Sequence, residues 1–235
     1  MKDMSYNAVM SRRAEIIKSA VGMDYSRFES GSIAFDYEGM MKATGLDINE
    51  VRRIQESFAI GHTPLIELKN ITALARKMAP KGKGARIFIK DEACNPSGSF
   101  KARRSCTSVY QAKKLGYKGV VTATSIYTAR EMGYKGAIAA TSGNYGAAVA
   151  SICAMAGLKC IIVQECYDSR YIGQPEIIEK ARKCEAFGAE VVQLSVGPEL
   201  FYETLRMLED TGYFNASLYT PYGIIGVETL GYEIT

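Results

Sequence analysis

The sequence predicts an α/β protein in which a parallel sheet carries helices on both faces. From residue 144 onward, short apolar stretches alternate with longer helical patterns, which is the order that parallel strands and their crossover helices require. Glycines stand where three of these helices should end, at Gly157, Gly188 and Gly212. Upstream, the segment 108–125 is matched 17 residues later by 125–142, and each copy has the pattern of a short helix, a glycine and a buried strand.

Composition narrows the class of protein. The 235 residues are 47% hydrophobic and 23% charged, as in ordinary soluble proteins, and they can bury a core of useful size. The net charge of +4 is spread along the chain, so no basic patch predicts nucleic-acid binding. No apolar run is long enough to span a membrane, and no signal-peptide core follows the polar start. We therefore expect a cytoplasmic protein that binds neither nucleic acid nor membrane.

The cysteines and the single histidine argue against a metal site. None of the six cysteines belongs to a Cys-x-x-Cys pair, and only His62 could supply an imidazole ligand. His62 itself is interpreted as a turn residue rather than a catalytic base. Reduced thiols, most of them in the core, are the expected state.

Residues 1–58 predict a helical N-terminal extension. Apolar residues such as Val9, Ile16 and Val21 recur at helical spacing. Asp47, with Glu50 three residues later, predicts the start of a further helix. No catalytic pattern occurs here, so we expect the extension to cover a core or a partner subunit.

Residues 59–107 lead into a turn that ends in a lysine. A strand pattern at 85–92 is followed by Asn-Pro-Ser-Gly-Ser-Phe-Lys at 95–101, so that Lys101 leaves the turn and begins a helix. The helix dipole and the neighbouring Arg103 and Arg104 should lower the pKa of its amine. A neutral amine can form an imine with an aldehyde or ketone, although a lysine in this position can also be an ordinary surface residue.

A second turn follows the repeat. An apolar strand at 137–140 runs into Thr-Ser-Gly-Asn at 141–144 and then into a helix of small residues, so several backbone amides point out of a helix N-terminus. Such a turn binds anions well, but it can also be a plain strand-to-helix connection. The first copy of the repeat lacks the Gly-Asn pair, so only the turn after the second copy can be this binding turn.

The remaining elements alternate regularly. Helices are predicted at 145–156, 175–187 and 198–210, strands at 159–164 and 189–194, and an extended run near 214–219. A last helix begins near residue 223 and has no end signal by 235, so we expect the natural chain to continue.

The two turns together resemble the fold type II pyridoxal-phosphate enzymes, among them threonine synthase. The Asn-Pro-Ser-Gly-Ser-Phe-Lys run, the Ser-Gly-Asn loop and the Gly-x-Thr-Pro-Leu segment at 61–65 carry this resemblance. It implies that Lys101 forms the Schiff base with pyridoxal 5'-phosphate, with Ser99 and Phe100 beside the cofactor and Asn144 hydrogen-bonded to its ring oxygen. It also implies a set of residues that hold the substrate carboxylate: Thr141, Ser142, Gly143 and Asn144.

The resemblance also implies a domain organisation. Residues 59–107 would begin the large cofactor-binding domain, 108–222 would form the smaller α/β domain, and 223–235 would start the return to the large domain. A single helix-strand unit normally separates the two turns, so the duplicated copy is a departure from the family. The glycine-rich phosphate loop and the partner of the pyridine nitrogen are expected beyond residue 235.

Within the family, the long extension and the Phe-Lys-Ala-Arg-Arg run at 100–104 look most like a thiolytic branch. Its beta subunit works with a small alpha subunit and coenzyme A in ornithine degradation, and it releases acetyl-CoA and alanine from an amino-oxo acid. Lys101 would also be the base for the Cα proton. Two alternatives stay open: an elimination or replacement enzyme like threonine synthase or diaminopropionate lyase, and a non-catalytic piece that binds a partner.

Overall fold

The computed structural model describes the chain in eight ranges: 2–24, 26–30, 34–124, 143–167, 172–173, 175–195, 197–216 and 220–235. The second copy of the repeat, 125–142, lies outside them. No helix in these ranges is both long enough and apolar enough to cross a membrane.

The described part of the N-terminal region is helical apart from one short antiparallel pair of strands. Its elements are α1 (Tyr6–Ser11), α2 (Arg13–Val21), β1 (Glu29–Ser30), β2 (Ala34–Phe35), α3 (Tyr37–Thr44) and α4 (Ile48–Ser57). The predicted cap of α4 is confirmed, because the Asp47 carboxylate accepts hydrogen bonds from the backbone N–H groups of Asn49 and Glu50. Helix α2 ends, as such helices commonly do, with a left-handed glycine, Gly22.

A two-stranded unit connects this region to the lysine turn. Strands β3 (Leu65–Glu67) and β4 (Phe88–Lys90) are antiparallel, and helix α5 (Lys69–Met78) joins them. A 3-10 turn at Glu92–Cys94 then delivers the chain to the turn before Lys101.

A four-stranded parallel sheet and five helices complete the described structure. The strands are β5 (Gly119–Thr124), β6 (Lys159–Glu165), β7 (Glu190–Leu194) and β8 (Phe214–Asn215), in the spatial order β7-β6-β5-β8. The helices are α6 (Lys101–Lys114), α7 (Asn144–Ala156), α8 (Pro175–Ala186), α9 (Gly197–Thr211) and α10 (Pro221–Tyr232).

Alternation along the strands divides the core between the two faces of the sheet. Val120 and Ile162 pack in the core that contains α6 and α7. Val121 and Val163 pack in a second core that contains apolar residues of α9, α1 and α2. The predicted α/β class, with a parallel sheet and helices on both faces, is confirmed. The predicted helices and strands after residue 144 are also confirmed, with ends that shift by at most two residues.

Helix α6 is longer than the repeat pattern suggested. It runs without a break from the lysine turn to Lys114, because the turn of Gly98 starts it and Gly116, with a left-handed φ of 81°, follows its end. The extended run predicted near 214–219 forms strand only at Phe214–Asn215, and 217–219 lie outside the described residues.

Two glycines let α10 approach α6 closely. A Cβ atom at Gly226 would lie 2.4 Å from both the Arg103 carbonyl oxygen and Thr107 Oγ1. At Gly223 it would lie 3.1 Å from Arg104 Cγ and from Ser108 Oγ. The backbone of α10 therefore rests directly on the helix that carries Lys101, and any side chain at these positions would push the two helices apart.

We predict that Gly226→Ala destabilises the fold by about 2–3 kcal/mol, because the added methyl group overlaps a backbone carbonyl that cannot rotate away. Urea unfolding followed by circular dichroism measures the change. Gly231→Ala is the matched control, since this α10 glycine has no atom within 4 Å of its Cβ position. There alanine should stabilise the helix by up to about 1 kcal/mol. Equal effects at the two sites would contradict the close packing.

Candidate functional site

Lys101 is the first residue of α6 and is almost buried, with 8% of its surface exposed. The turn before it is closed by a hydrogen bond of 2.7 Å from the Gly98 N–H to the Asn95 carbonyl, and Gly98 has a left-handed φ of 75°. The Lys101 Nζ atom lies 4.6 Å from the centre of the Phe100 ring. No ion pair joins this amine to a carboxylate within the described ranges.

The surroundings of Lys101 lower the pKa of its amine. Burial has the largest effect, and the like charges of Lys180 and Arg104 add to it. The predicted direction is therefore confirmed, and Arg104 acts as expected. The sequence missed Lys180, which comes from helix α8, and it misjudged Arg103, whose charge is neutralised elsewhere.

The Arg103 guanidinium is fully buried between two carboxylates. Its Nε and Nη2 atoms donate to Glu92 at 2.7 and 2.8 Å, and its Nη1 and Nη2 atoms donate to Glu233 at 2.7 and 2.8 Å. Nη1 also donates to Thr229 Oγ1 at 3.0 Å. This set of bonds joins the lysine helix to the turn after β4 and to the end of α10.

Glu233 collects further donors from the 61–65 segment and from β4. Its Oε1 atom accepts from the backbone N–H of His62 at 3.0 Å, and its Oε2 atom pairs with Lys90 Nζ at 2.7 Å. Burial alone would raise the pKa of Glu233, but the hydrogen bonds from Arg103, Lys90 and the His62 N–H bring it down to about 2. The backbone of His62, in a left-handed conformation with φ 50°, serves the network, while its exposed ring pairs with Glu56.

The second turn brings Gly143 and Asn144 to the start of α7. Gly143 is buried and left-handed, with φ 76°, and its carbonyl accepts the N–H of Ala147 at 3.0 Å. Asn144 is half-buried as the first residue of the helix. Thr141 and Ser142 lie outside the described residues, so their predicted role stays a prediction.

Helix α8 contacts both turns. The stem of Lys180 lies over Gly143, where a Cβ atom would be 2.7 Å from Lys180 Cβ and 2.8 Å from its Cδ. One turn further along, Lys183 Nζ donates to the Ser97 carbonyl at 3.1 Å. The sequence shows these two lysines only as polar positions three residues apart on an amphipathic helix, which is why their place at the site was not predicted.

Residues 56–235 match the protein family described as pyridoxal-phosphate dependent enzyme. Because the match covers most of the chain, this protein belongs to that family. The family assignment from the two turns is confirmed, and with it pyridoxal phosphate as the cofactor of the class.

Particular relatives refine this assignment. The chain is 70% identical, over 99% of its length, to the 2-amino-4-ketopentanoate thiolase beta subunit of Acetoanaerobium sticklandii, of which it covers 46%. It is 31% identical, over 84% of its length, to a threonine synthase of a Bacillus species, of which it covers 48%. Serine racemase from Dictyostelium discoideum has the same fold, with a TM-score of 0.59 and 24% identity over 80% of this chain and 51% of that one. The chain thus spans about half the length of the curated relatives it matches.

The described residues fit the cofactor of the family. Lys101 offers a buried amine whose pKa is lowered, which suits covalent attachment to an aldehyde. The Ser99 hydroxyl, two residues before Lys101, is buried and has no hydrogen-bond partner among the described residues. The same is true of the Arg104 Nε atom. Such orphaned polar atoms beside a reactive amine are consistent with a polar ligand.

We predict that Glu233→Gln lowers the free energy of unfolding by about 3 kcal/mol, because Arg103 then keeps one carboxylate instead of two in a buried place. The acid sensitivity should change as well. Glu233 has a folded pKa of about 2 against its ordinary 4.5, so it stabilises the wild type above pH 4.5 and loses this contribution as the pH falls towards 2. The variant should lack the loss of stability that comes from protonating Glu233. Urea unfolding at several pH values measures this difference in the free energy of unfolding.

Glu67→Gln is the control for this substitution. Glu67 pairs with the exposed Arg86 at 2.9 Å, so its loss should leave stability nearly unchanged. A Glu233→Gln profile that runs parallel to that of the wild type between pH 5 and 2 would show that folding does not lower the pKa of Glu233.

Proposed function

We propose that this chain supplies the lysine-bearing part of the active site of a 2-amino-4-oxopentanoate thiolase beta subunit. The observation that carries the proposal is the 70% identity, over 99% of the chain, to a protein named for that activity, under the synonym 2-amino-4-ketopentanoate thiolase. The reaction cleaves the substrate with coenzyme A to acetyl-CoA and alanine, as a step of ornithine degradation. The name beta subunit supports a small alpha subunit as partner, and we place the enzyme in the cytoplasm.

The chemistry of such a cleavage suits the site. Pyridoxal phosphate, when bound, stabilises negative charge on a substrate carbon close to the imine. Lys101 would hold the cofactor through its amine, and its free amine would take and return the Cα proton. Its lowered pKa favours both tasks, because each requires the unprotonated amine.

The other predicted residues position the reactants. Ser99 and Phe100 would lie beside the cofactor, and Asn144 would donate to its ring oxygen. The turn from Thr141 to Asn144 holds the substrate carboxylate through its amides. The packing of α8 against Gly143 and Ser97 supports this arrangement, because it connects the two turns through one rigid helix.

A second candidate is an elimination or replacement enzyme like threonine synthase or diaminopropionate lyase. The 31% identity to a Bacillus threonine synthase favours the former, although at less than half the identity of the thiolase relative. A third candidate function is not enzymatic: the chain would be a non-catalytic piece that binds a partner.

We predict that Lys101 is the lysine that reacts with pyridoxal phosphate. After incubation with the cofactor and reduction by borohydride, peptide mass spectrometry should locate the adduct on Lys101, and Lys101→Ala should abolish it. Lys114→Ala, at the exposed end of the same helix, should leave the adduct in place. Label scattered over surface lysines would favour the non-catalytic candidate.

We also predict thiolase activity in a chimera in which residues 1–235 replace the matching segment of the Acetoanaerobium sticklandii subunit. With the alpha subunit, substrate and coenzyme A, it should form acetyl-CoA and alanine, and Lys101→Ala should lower kcat at least about a hundredfold. Release of phosphate from a phosphorylated amino acid, without coenzyme A dependence, would instead support the threonine synthase candidate.

A further inference from the structure

Lys180 occupies an unusual place for a lysine on a helix surface. It is half-buried, its stem covers the backbone of Gly143, and its charge acts on Lys101. Lys180 therefore lies against the turn at Gly143, and its charge lowers the pKa of Lys101 at the end of the other turn.

The groups around Lys101 are cationic. Lys180 approaches from α8, Arg104 lies one turn further along α6, and Lys183 is bonded to the turn at Ser97. Tyr145 of α7 is fully buried beside Arg104, and burial raises its pKa to about 12, so it adds no negative charge at neutral pH. Within the described ranges, no ion pair joins Lys180 or Lys101 to a carboxylate, whereas Arg103 has two.

An unpaired positive charge raises the free energy of the folded chain where it is partly removed from water, and a nearby anion lowers that free energy again. The Glu92 and Glu233 carboxylates near the first turn of α6 are already paired with Arg103 and Lys90. A bound anion would supply the compensating charge.

We propose that Lys180 is a specificity residue whose ammonium group pairs with the carboxylate of a free amino acid seated between Gly143 and Lys101. This inference rests on the proposed function, since it assumes that Lys101 is the reacting lysine. It adds a side-chain cation to a carboxylate site that was predicted only from backbone amides and small side chains.

The pairing has a consequence for catalysis. In the absence of an anion, burial and then the charge of Lys180 lower the pKa of Lys101, which favours the neutral amine that attacks an aldehyde. When a carboxylate neutralises Lys180, this repulsion weakens and the proton affinity of Lys101 rises. Substrate binding thus favours Lys101 as a proton acceptor at the stage when it has to take a proton.

A carboxylate is preferred over a phosphate for a positional reason. Lys180 touches Gly143, and the Gly143 turn is the one predicted to hold the substrate carboxylate. Both anions would pair with an ammonium group, so the experiment has to separate them.

The test labels Lys101 with pyridoxal, which lacks the phosphate group, followed by borohydride, and follows the labelling rate against pH by peptide mass spectrometry. In Lys180→Gln the midpoint should move to higher pH, and below the wild-type midpoint Lys101 should react about three- to tenfold more slowly. Lys180→Arg keeps the charge, and Arg182→Gln removes an exposed charge from the same helix, so both should stay within about twofold of wild type.

Anions provide the second arm. At constant ionic strength set with chloride, acetate should move the wild-type midpoint to higher pH, and this shift should be absent in Lys180→Gln. A shift caused by inorganic phosphate but not by acetate would overturn the carboxylate assignment.

The outcomes separate this inference from the proposed function. If Lys101 is labelled but Lys180→Gln behaves as wild type, the inference fails and the role of Lys101 stands. If Lys101 is not labelled at all, both fail.

Discussion

The charge of Arg103 is the constraint on which the rest of the described structure depends. A fully buried guanidinium is tolerated only with carboxylates at hydrogen-bond distance, and these come from Glu92 and Glu233, on opposite sides of it along the chain. Satisfying this one side chain fixes the turn after β4, the 61–65 segment and the end of α10 around the first turn of α6.

The same constraint orients Lys101. Residues two apart on a helix point in nearly opposite directions, whereas residues three apart share a face. With Arg103 held in the network, Lys101 points away from its carboxylates, and Arg104 lies on the lysine side. The carboxylates of the region thus neutralise Arg103 rather than Lys101. One helical turn thereby separates a neutral ion network around Arg103 from the positively charged side chains around Lys101.

The N-terminal extension has a structural place in the fold. Helices α1 and α2 add Val9 and Ile16 to the core on the α9 side of the sheet, and Arg12 pairs with Glu209 of α9 at 2.7 Å. Without these helices, apolar surface of α9 and of β5 and β6 would be exposed. The extension therefore covers a core, which is one of the two roles expected from its sequence.

The sequence by itself determined the class, the lysine turn and the order of helices and strands after residue 144, because these follow from local patterns: alternation of apolar residues, glycines at helix ends, and Lys101 directly after a Pro-Ser-Gly-Ser turn. It could not show which charged side chains lie close together in the folded chain. Arg103 and Arg104 are adjacent in sequence, yet one is neutralised by Glu92 and Glu233 while the other acts on Lys101. Lys180, 79 positions after Lys101 in the numbering, reaches it only because α8 packs beside both turns. Electrostatic environment depends on distance and burial in space, so only the tertiary structure decided which side chains lower the pKa of Lys101.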